Sequence, residues 1–360
     1  MRIGIPKEIK TMEGRVGLIP AAVAELVRAG HTVWVEHDAG RLSGYDDDRY
    51  EAAGARIAPD AASLYEQAQL IVKIKEPVGK ELEYLRPDHL LFSFLHLAAA
   101  PQLARRLQDI GLTAVAFETV TDSRGQLPLL APMSDIAGRL ATQIGCRLLH
   151  QSEGGKGLLL GGLSGARRGR VVILGAGNAG GGAAALAAPL GAEVIVFDRD
   201  RARLQAIRRL GHNVTALFSY DELLREEVGR ADLLIGAVLV PGARTPHLVS
   251  ADMVRAMEPG SVVMDISVDQ GGCIETTRPT THADPVLTWE GVLHFGVTNM
   301  PGTVPHSASQ AMSAVLTPYV LALAAPGWEG NPGLAAGVNV RNGRLVHPAV
   351  AEAVGNTVAT

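Results

Sequence analysis

Four side chains stand where apolar, strand-like runs end, and their types suit one kind of chemistry. Arg15 lies in "KEIKTMEGRVGLIP", just after the run Arg2–Ile5. Lys75 closes "LIVKIK", His96 follows "HLLFSF", and Asp269 lies in "SVDQGGC" beyond Ser261–Ile266. In parallel α/β sheets, ligands sit outside the carboxyl ends of the strands, which makes these positions candidates. An arginine offers a rigid fork to a carboxylate. A lysine can neutralise or polarise a carbonyl oxygen, an imidazole can move protons near neutral pH, and a carboxylate can take a proton from water or an amine. Together the four suit a small substrate bearing a carboxylate. Each also has a plainer reading. A strand-end Lys or Arg is often a solvated surface charge, His96 could be a satisfied core histidine, and Asp269 could merely shape the turn before Gly271 and Gly272. Spacing does not make the four converge.

A second group of residues suits phosphate. Gly175-Ala176-Gly177-Asn178-Ala179-Gly180 fits G-x-G-x-x-G, between the apolar run Val171–Leu174 and an Ala-rich helical stretch. Gly175 permits a tight turn, Gly177 lets a pyrophosphate approach the backbone, and Gly180 lets helix and strand pack closely. The helix N-terminus then offers free N–H groups and a favourable dipole. Asp198 ends the next strand, "EVIVFD". An acid there accepts hydrogen bonds from the adenosine ribose and disfavours a 2′-phosphate, which points to NAD. Arg199 beside it keeps NADP open.

The elements that must position these groups alternate. Strand-like runs lie at Arg2–Ile5, Thr32–Glu36, Leu70–Lys75, His89–Phe94 and Thr113–Phe117, with helical segments at Pro20–Ala29, Ala61–Gln67 and Pro101–Asp109. A period of two puts Lys73 and Lys75 on one face of their strand. A second set of strands follows at Val171–Leu174, Glu193–Phe197, Val214–Leu217, Asp232–Ala237, Ser261–Ile266 and Val292–Val297. The pattern is α/β with mostly parallel sheets. An amphipathic segment, Met133–Leu149, and the Gly-rich loop Gly154–Gly162 join the two sets. If the tail beyond Asn299 folds back onto the first set, the nucleotide-binding domain is inserted into the other one. The expected division is 1–130 plus 303–360 for substrate and 131–302 for NAD.

Composition narrows the partners. With 47% hydrophobic and 19% charged residues the chain can build real cores. A net charge of -4 and 4% aromatics give no reason to expect nucleic acid or an anionic membrane. Cys146 and Cys273 lack metal-ligand spacing and read as reduced thiols, and no His/Cys/Asp cluster has ligand spacing, so no metal is expected. The N-terminus has no signal-peptide pattern. Ser307–Trp328 is uncharged but holds Pro318 and polar residues, which favours a buried helix over a membrane span.

These stretches together resemble alanine dehydrogenase over nearly the whole chain. "RIGIPKEIKTMEGRVGLIP", "IVKIKEP", "LFSFLHLA", "APMSDIAGRLATQIG", "GGKGLLLGG", "LGAGNAG", "GAVLVPGARTPHLVS", "DISVDQGGCIETTRPTTH" and "HFGVTNMPGTVPHSAS" occur in the family's order. The resemblance implies two doubly wound, Rossmann-like domains, with the NAD-binding one inserted into the substrate domain. It implies interconversion of L-alanine with pyruvate and ammonia, in a cytoplasmic homohexamer. Arg15 and Lys75 would hold the substrate. His96 would be the acid/base, and Asp269 would serve near the nicotinamide and the carbinolamine. Ser134 and Asp198 would contact the cofactor, as would Ser219, Val238 and Asn299. The alternatives are the NAD-binding component of a proton-translocating transhydrogenase, a non-catalytic NAD-binding regulator, or a dehydrogenase for another small amino or keto acid. The Lys75-Glu76-Pro77 run, His96 and Asp269 favour the dehydrogenase over the transhydrogenase component. Two departures stand out: His306, where the family usually has Arg, and a first nucleotide-domain helix unusually rich in Gly and Ala.

Overall fold

The computed structural model describes residues 1–238 and 245–355. Residues 239–244, within the "GAVLVPGARTPHLVS" stretch, and the last five residues lie outside the described ones. The contacts divide the chain into two units, Met1–Met133 with Gly302–Thr360, and Ser134–Pro301. Each holds its own sheet.

In the first unit the strands are β1 (Arg2–Ile5), β2 (Thr32–Glu36), β3 (Arg56–Ala58), β4 (Leu70–Val72), β5 (Leu90–Ser93) and β6 (Thr113–Ala116). In the second they are β7 (Arg170–Leu174), β8 (Glu193–Asp198), β9 (Val214–Phe218), β10 (Leu233–Gly236), β11 (Val262–Asp265), β12 (Val286–Trp289) and β13 (Val292–Phe295). The chain then supplies β14 (Val338–Arg341) and β15 (Arg344–Leu345) to the first sheet.

The first sheet runs β15-β14-β6-β5-β4-β1-β2-β3 and the second β12-β13-β11-β10-β7-β8-β9. All pairs from β1 to β6 are parallel, and β14 closes that edge by pairing antiparallel with β6. In the second sheet β12 is the antiparallel edge. Both parallel cores therefore follow the doubly wound order, in which the chain starts in the middle, moves outward, and returns to build the other half. The reversal points lie between β1 and β4, and between β7 and β10. A crevice opens at the carboxyl end of such a pair because the flanking connections leave toward opposite faces.

Strands buried on both faces read as continuous apolar runs. Leu70, Ile71 and Val72 are all fully buried, as are Val171, Val172 and Ile173. The strand at Leu70 ends earlier than its sequence suggests: Lys73 and Lys75 lie beyond β4 and have different surroundings. Lys73 is wholly buried against Glu8 (3.3 Å) and Glu81 (3.0 Å), whereas Lys75 is half-buried.

The uncharged stretch of the tail forms the helix Pro305–Ala324, with Pro318 inside it. Ser309 and Ser313 on its buried face accept the backbone N–H groups of Val16 (3.0 Å) and Ile19 (2.9 Å), which ties the tail to the segment carrying Arg15. No helix among the described residues is long and apolar enough to cross a membrane.

Candidate active site

In the first unit, Arg15, Lys75 and His96 follow three adjacent strands, β1, β4 and β5. The Phe94 N–H donates to the Ile74 carbonyl (3.0 Å), so Lys75 and His96 leave the sheet at the same end. Arg15 and Lys75 flank the reversal point. Arg15 is 3% exposed; its Nε donates to Glu13 Oε1 (2.6 Å), its Nη2 to the other carboxylate oxygen, and its Nη1 to the Met133 sulfur (3.1 Å). Burial holds the Lys75 ammonium below its ordinary value, and the positive charge of Arg15 adds to the effect. A lysine so placed gains from any anion that arrives between the two cations.

His96 is the most exposed of the three, with its side chain 47% accessible. Its φ of 48° is left-handed, a conformation that non-glycine residues seldom adopt. Glu118 holds it there, accepting the backbone N–H of His96 (2.6 Å) and of Leu95 (3.2 Å). The imidazole lies parallel to the Phe94 ring at 5.8 Å, with Nδ1 4.0 Å from Glu118. One edge thus lies beside Glu118 while the ring stays open to solvent.

In the second unit, the glycines meet the demands of a dinucleotide turn. Gly175 has φ 96°, and a Cβ there would lie 2.7 Å from the Ala237 carbonyl oxygen across the reversal point. Gly177 caps the helix Asn178–Ala187, and a Cβ on it would meet only the Arg203 guanidinium tip at 3.8 Å, so that face is open to a ligand. A Cβ on Gly180 would fall 1.7 Å from the Gly175 carbonyl oxygen. Asp198 ends β8, and its carboxylate accepts the N–H groups of Ala176 (2.6 Å) and Asp200 (2.7 Å). That fixes it beside the glycine turn with lone pairs left for ribose hydroxyls.

Two of the other expected cofactor contacts adjoin this turn. The Ser219 N–H donates to the Asp198 carbonyl (3.1 Å), and the Val238 side chain lies 3.5 Å from the Cβ position of Gly175. Ser134 is in the first turn of the helix Ala131–Leu148, whose Gly138 packs against the Ala179 backbone. Asn299 follows β13 in a left-handed conformation, φ 57°. Asp269 is exposed in a short 3₁₀ turn, Val268–Gln270, beyond β11. The glycines leave space for a dinucleotide, and the Asp198 carboxylate stands beside that space.

Sequence reasoning missed the acids behind these groups: Glu8, Glu13, Glu118 and Asp265. Glu8 accepts the N–H of Ile74 (2.6 Å) and Lys75 (3.3 Å). Asp265 accepts three N–H groups of the loop that carries Asp269. Only Asp265 leaves a readable signal, an acid closing the apolar run "SVVMD". Among the described residues, one group, His37, Asp38 and Asp47, has donor atoms close enough for a metal; it is partly exposed and already engaged by Arg41 at 3.3 Å.

Comparison with known proteins identifies the family. The N-terminal domain of alanine dehydrogenase/PNT matches residues 4–137, and the C-terminal domain of the same family matches residues 141–348. The chain belongs to the alanine dehydrogenase/PNT family. An alanine dehydrogenase of Halomonas elongata is 47% identical over 360 residues, covering 99% of this chain and 97% of that one. A solved L-alanine dehydrogenase superposes with a TM-score of 0.95 at 49% identity, covering 99% of both chains. A transhydrogenase from Sinorhizobium meliloti gives 0.85 at 28% identity, over 97% of this chain and all of that one. Both branches of the alanine dehydrogenase/PNT family therefore share the fold, and the higher identity lies with the dehydrogenases. His306 stacks on Tyr45 at 5.3 Å and pairs through Nδ1 with the Ser43 carbonyl (2.6 Å). It closes local packing in the first unit.

Proposed function

We propose that this protein catalyses the NAD-dependent oxidative deamination of L-alanine to pyruvate and ammonia, together with the reverse reductive amination. One observation supports the reading: in each doubly wound sheet the candidate groups follow strands that border its reversal point. Arg15 and Lys75 flank the first, and the glycine turn occupies the second. The names borne by the relatives supply the substrate.

When bound, the nicotinamide supplies the hydride acceptor. Arg15, with its orientation set by Glu13, takes the substrate carboxylate, and Lys75 faces the oxygen that develops on the former Cα. Hydride loss leaves an imine. Water adds to it to give a carbinolamine, and loss of ammonia leaves pyruvate. His96 moves the protons of these steps, and Asp269 assists water attack and amine departure. Asp198 accepts the ribose hydroxyls and would face a 2′-phosphate with like charge, so NAD is preferred. The same reading makes the protein a cytoplasmic homohexamer; light scattering on the purified protein tests the hexamer.

The deciding experiment follows NADH absorbance with purified protein, NAD and L-alanine at alkaline pH, with glycine, serine and NADP in parallel. Turnover with alanine and NAD is expected. Turnover only with another amino acid moves the proposal to that substrate. Silence in both directions, with NADH still bound, overturns it in favour of a transhydrogenase component or a non-catalytic NAD-binding protein.

A further inference from the structure

The loop that carries Asp269 is organised around one buried carboxylate. Asp265 is the last residue of β11 and is 2% exposed. Its Oδ1 accepts the Ser267 N–H (3.0 Å), and its Oδ2 accepts the N–H groups of Cys273 (2.9 Å) and Ile274 (3.1 Å). One side chain thus binds the start and the end of the loop, with Asp269 between them. Two glycines let the chain wrap it: Gly271 and Gly272 have φ of 97° and 73°. A Cβ on Gly272 would lie 2.8 Å from Oδ2. From below, Gly236 at the end of β10 leaves room, since a Cβ there would lie 3.1 Å from Oδ1 and 2.5 Å from the Cys273 sulfur. The loop is also tied across the sheet: the Ser267 hydroxyl donates to the Val238 carbonyl (2.6 Å).

An apolar residue of the same size would leave three N–H groups without this acceptor, and burial makes each such loss costly. Burying a carboxylate is costly too. A carboxylate with four lone-pair sites is what three converging N–H groups demand.

We infer that Asp265 is a positioning residue for the reaction, holding the Ser267–Ile274 loop so that Asp269 stands at a fixed height above the sheet. The inference rests on the role given to Asp269 above. It assigns Asp265 no contact with substrate or cofactor.

The test is a double-mutant cycle on the full-length enzyme, with kcat normalised to NADH-binding sites. Asp269→Asn is measured first; near-native turnover in that variant removes the role of Asp269 and this inference with it. With Asp269 confirmed, Asp265→Asn is expected to lower kcat by roughly tenfold or more while the KM for alanine moves less than about threefold. The two changes should not multiply: Asp265→Asn in the Asp269→Asn background should slow turnover by less than about twofold, because there is no longer a carboxylate to place. A residue needed only for folding would instead lower both backgrounds by the same factor. Turnover of Asp265→Asn within about twofold of the native enzyme, or losses that multiply, overturns the inference. If Asp265→Asn does not fold, Gly272→Ala, which presses the loop off the same carboxylate, is put through the same cycle and judged by the same criteria.

Discussion

At the scale of single residues, the proposed site separates candidate groups for chemistry from the groups that hold them. His96 stands in a left-handed conformation supported by Glu118, which accepts the N–H groups of Leu95 and His96, and by the Ala99 N–H donating to its carbonyl. Its replacement by Ala should lower kcat by roughly a hundredfold or more, the ordinary worth of a positioned acid/base. NADH affinity, read by fluorescence titration, should stay near native, since His96 belongs to the other unit from the glycine turn. Asp265 has a cost that pH exposes. Burial, opposed by its N–H donors, pushes its carboxyl up to about 6. The folded protein therefore holds a proton that the unfolded chain has released between about pH 4 and 6, and stability falls as pH rises through that window. The swing is on the order of 3 kcal/mol. Urea melts at pH 4.5 and 7 should show native protein losing stability with rising pH relative to Asp265→Asn. Parallel pH curves for the two would refute the shift. Holding the Asp269 loop thus goes against stability at the pH where the enzyme would work.

At the scale of elements, a buried ion cluster supports the Lys75 segment. Lys73 lies wholly buried against Glu8 and Glu81, and Glu8 in turn accepts the N–H groups of Ile74 and Lys75. Burial alone would lower the Lys73 ammonium; the two carboxylates reverse this and hold it above its ordinary value. Lys73→Met would strand two buried acids and should cost about 3–5 kcal/mol in a denaturant melt, with the KM for alanine rising as the Lys75 backbone loosens. A change below about 1 kcal/mol would show that solvent reaches the cluster.

The sequence tells much of this and conceals the rest for definable reasons. Long apolar runs announced the central strands, because burial on both faces leaves little choice of residue. The three-residue β3, the edge strand β12 and the returning β14 and β15 were not foreseen. They are short, and β14 pairs with β6 from far along the chain, so neither period nor neighbourhood marks them. Lys73 and Lys75 look like one face of a strand, but β4 stops at Val72, and Lys73 is taken up by Glu8 and Glu81 while Lys75 stays half-buried. Strand-end residues were legible because topology puts ligands there. Glu8, Glu13 and Glu118 were not, because an acid that binds backbone N–H groups has no sequence pattern of its own.

At the scale of the whole molecule, the chain begins one sheet, builds another, and returns to finish the first. The consequences for autonomy are unequal. Residues 134–301 contain all seven strands of the second sheet and a core that includes Val172, Leu234 and Val263. The helix Ala131–Leu148 is locked to that core by the Thr142 hydroxyl donating to the Ala183 carbonyl (3.0 Å) and by Gly138 against Ala179. Residues 1–133 contain an unfinished sheet. They lack β14, the helix Pro305–Ala324, and the Ser309 and Ser313 hydroxyls that accept the N–H groups of Val16 and Ile19. A fragment of residues 131–301 should therefore melt cooperatively and bind NADH near native affinity without turnover. A fragment of residues 1–130 should lack a cooperative transition until residues 302–360 are supplied in trans. Calorimetry and NADH fluorescence on the two fragments check this. If residues 1–130 melt cooperatively alone, the returning tail adds to the first unit rather than completing it. If residues 131–301 fail to bind NADH, the cofactor site needs groups from outside the second unit.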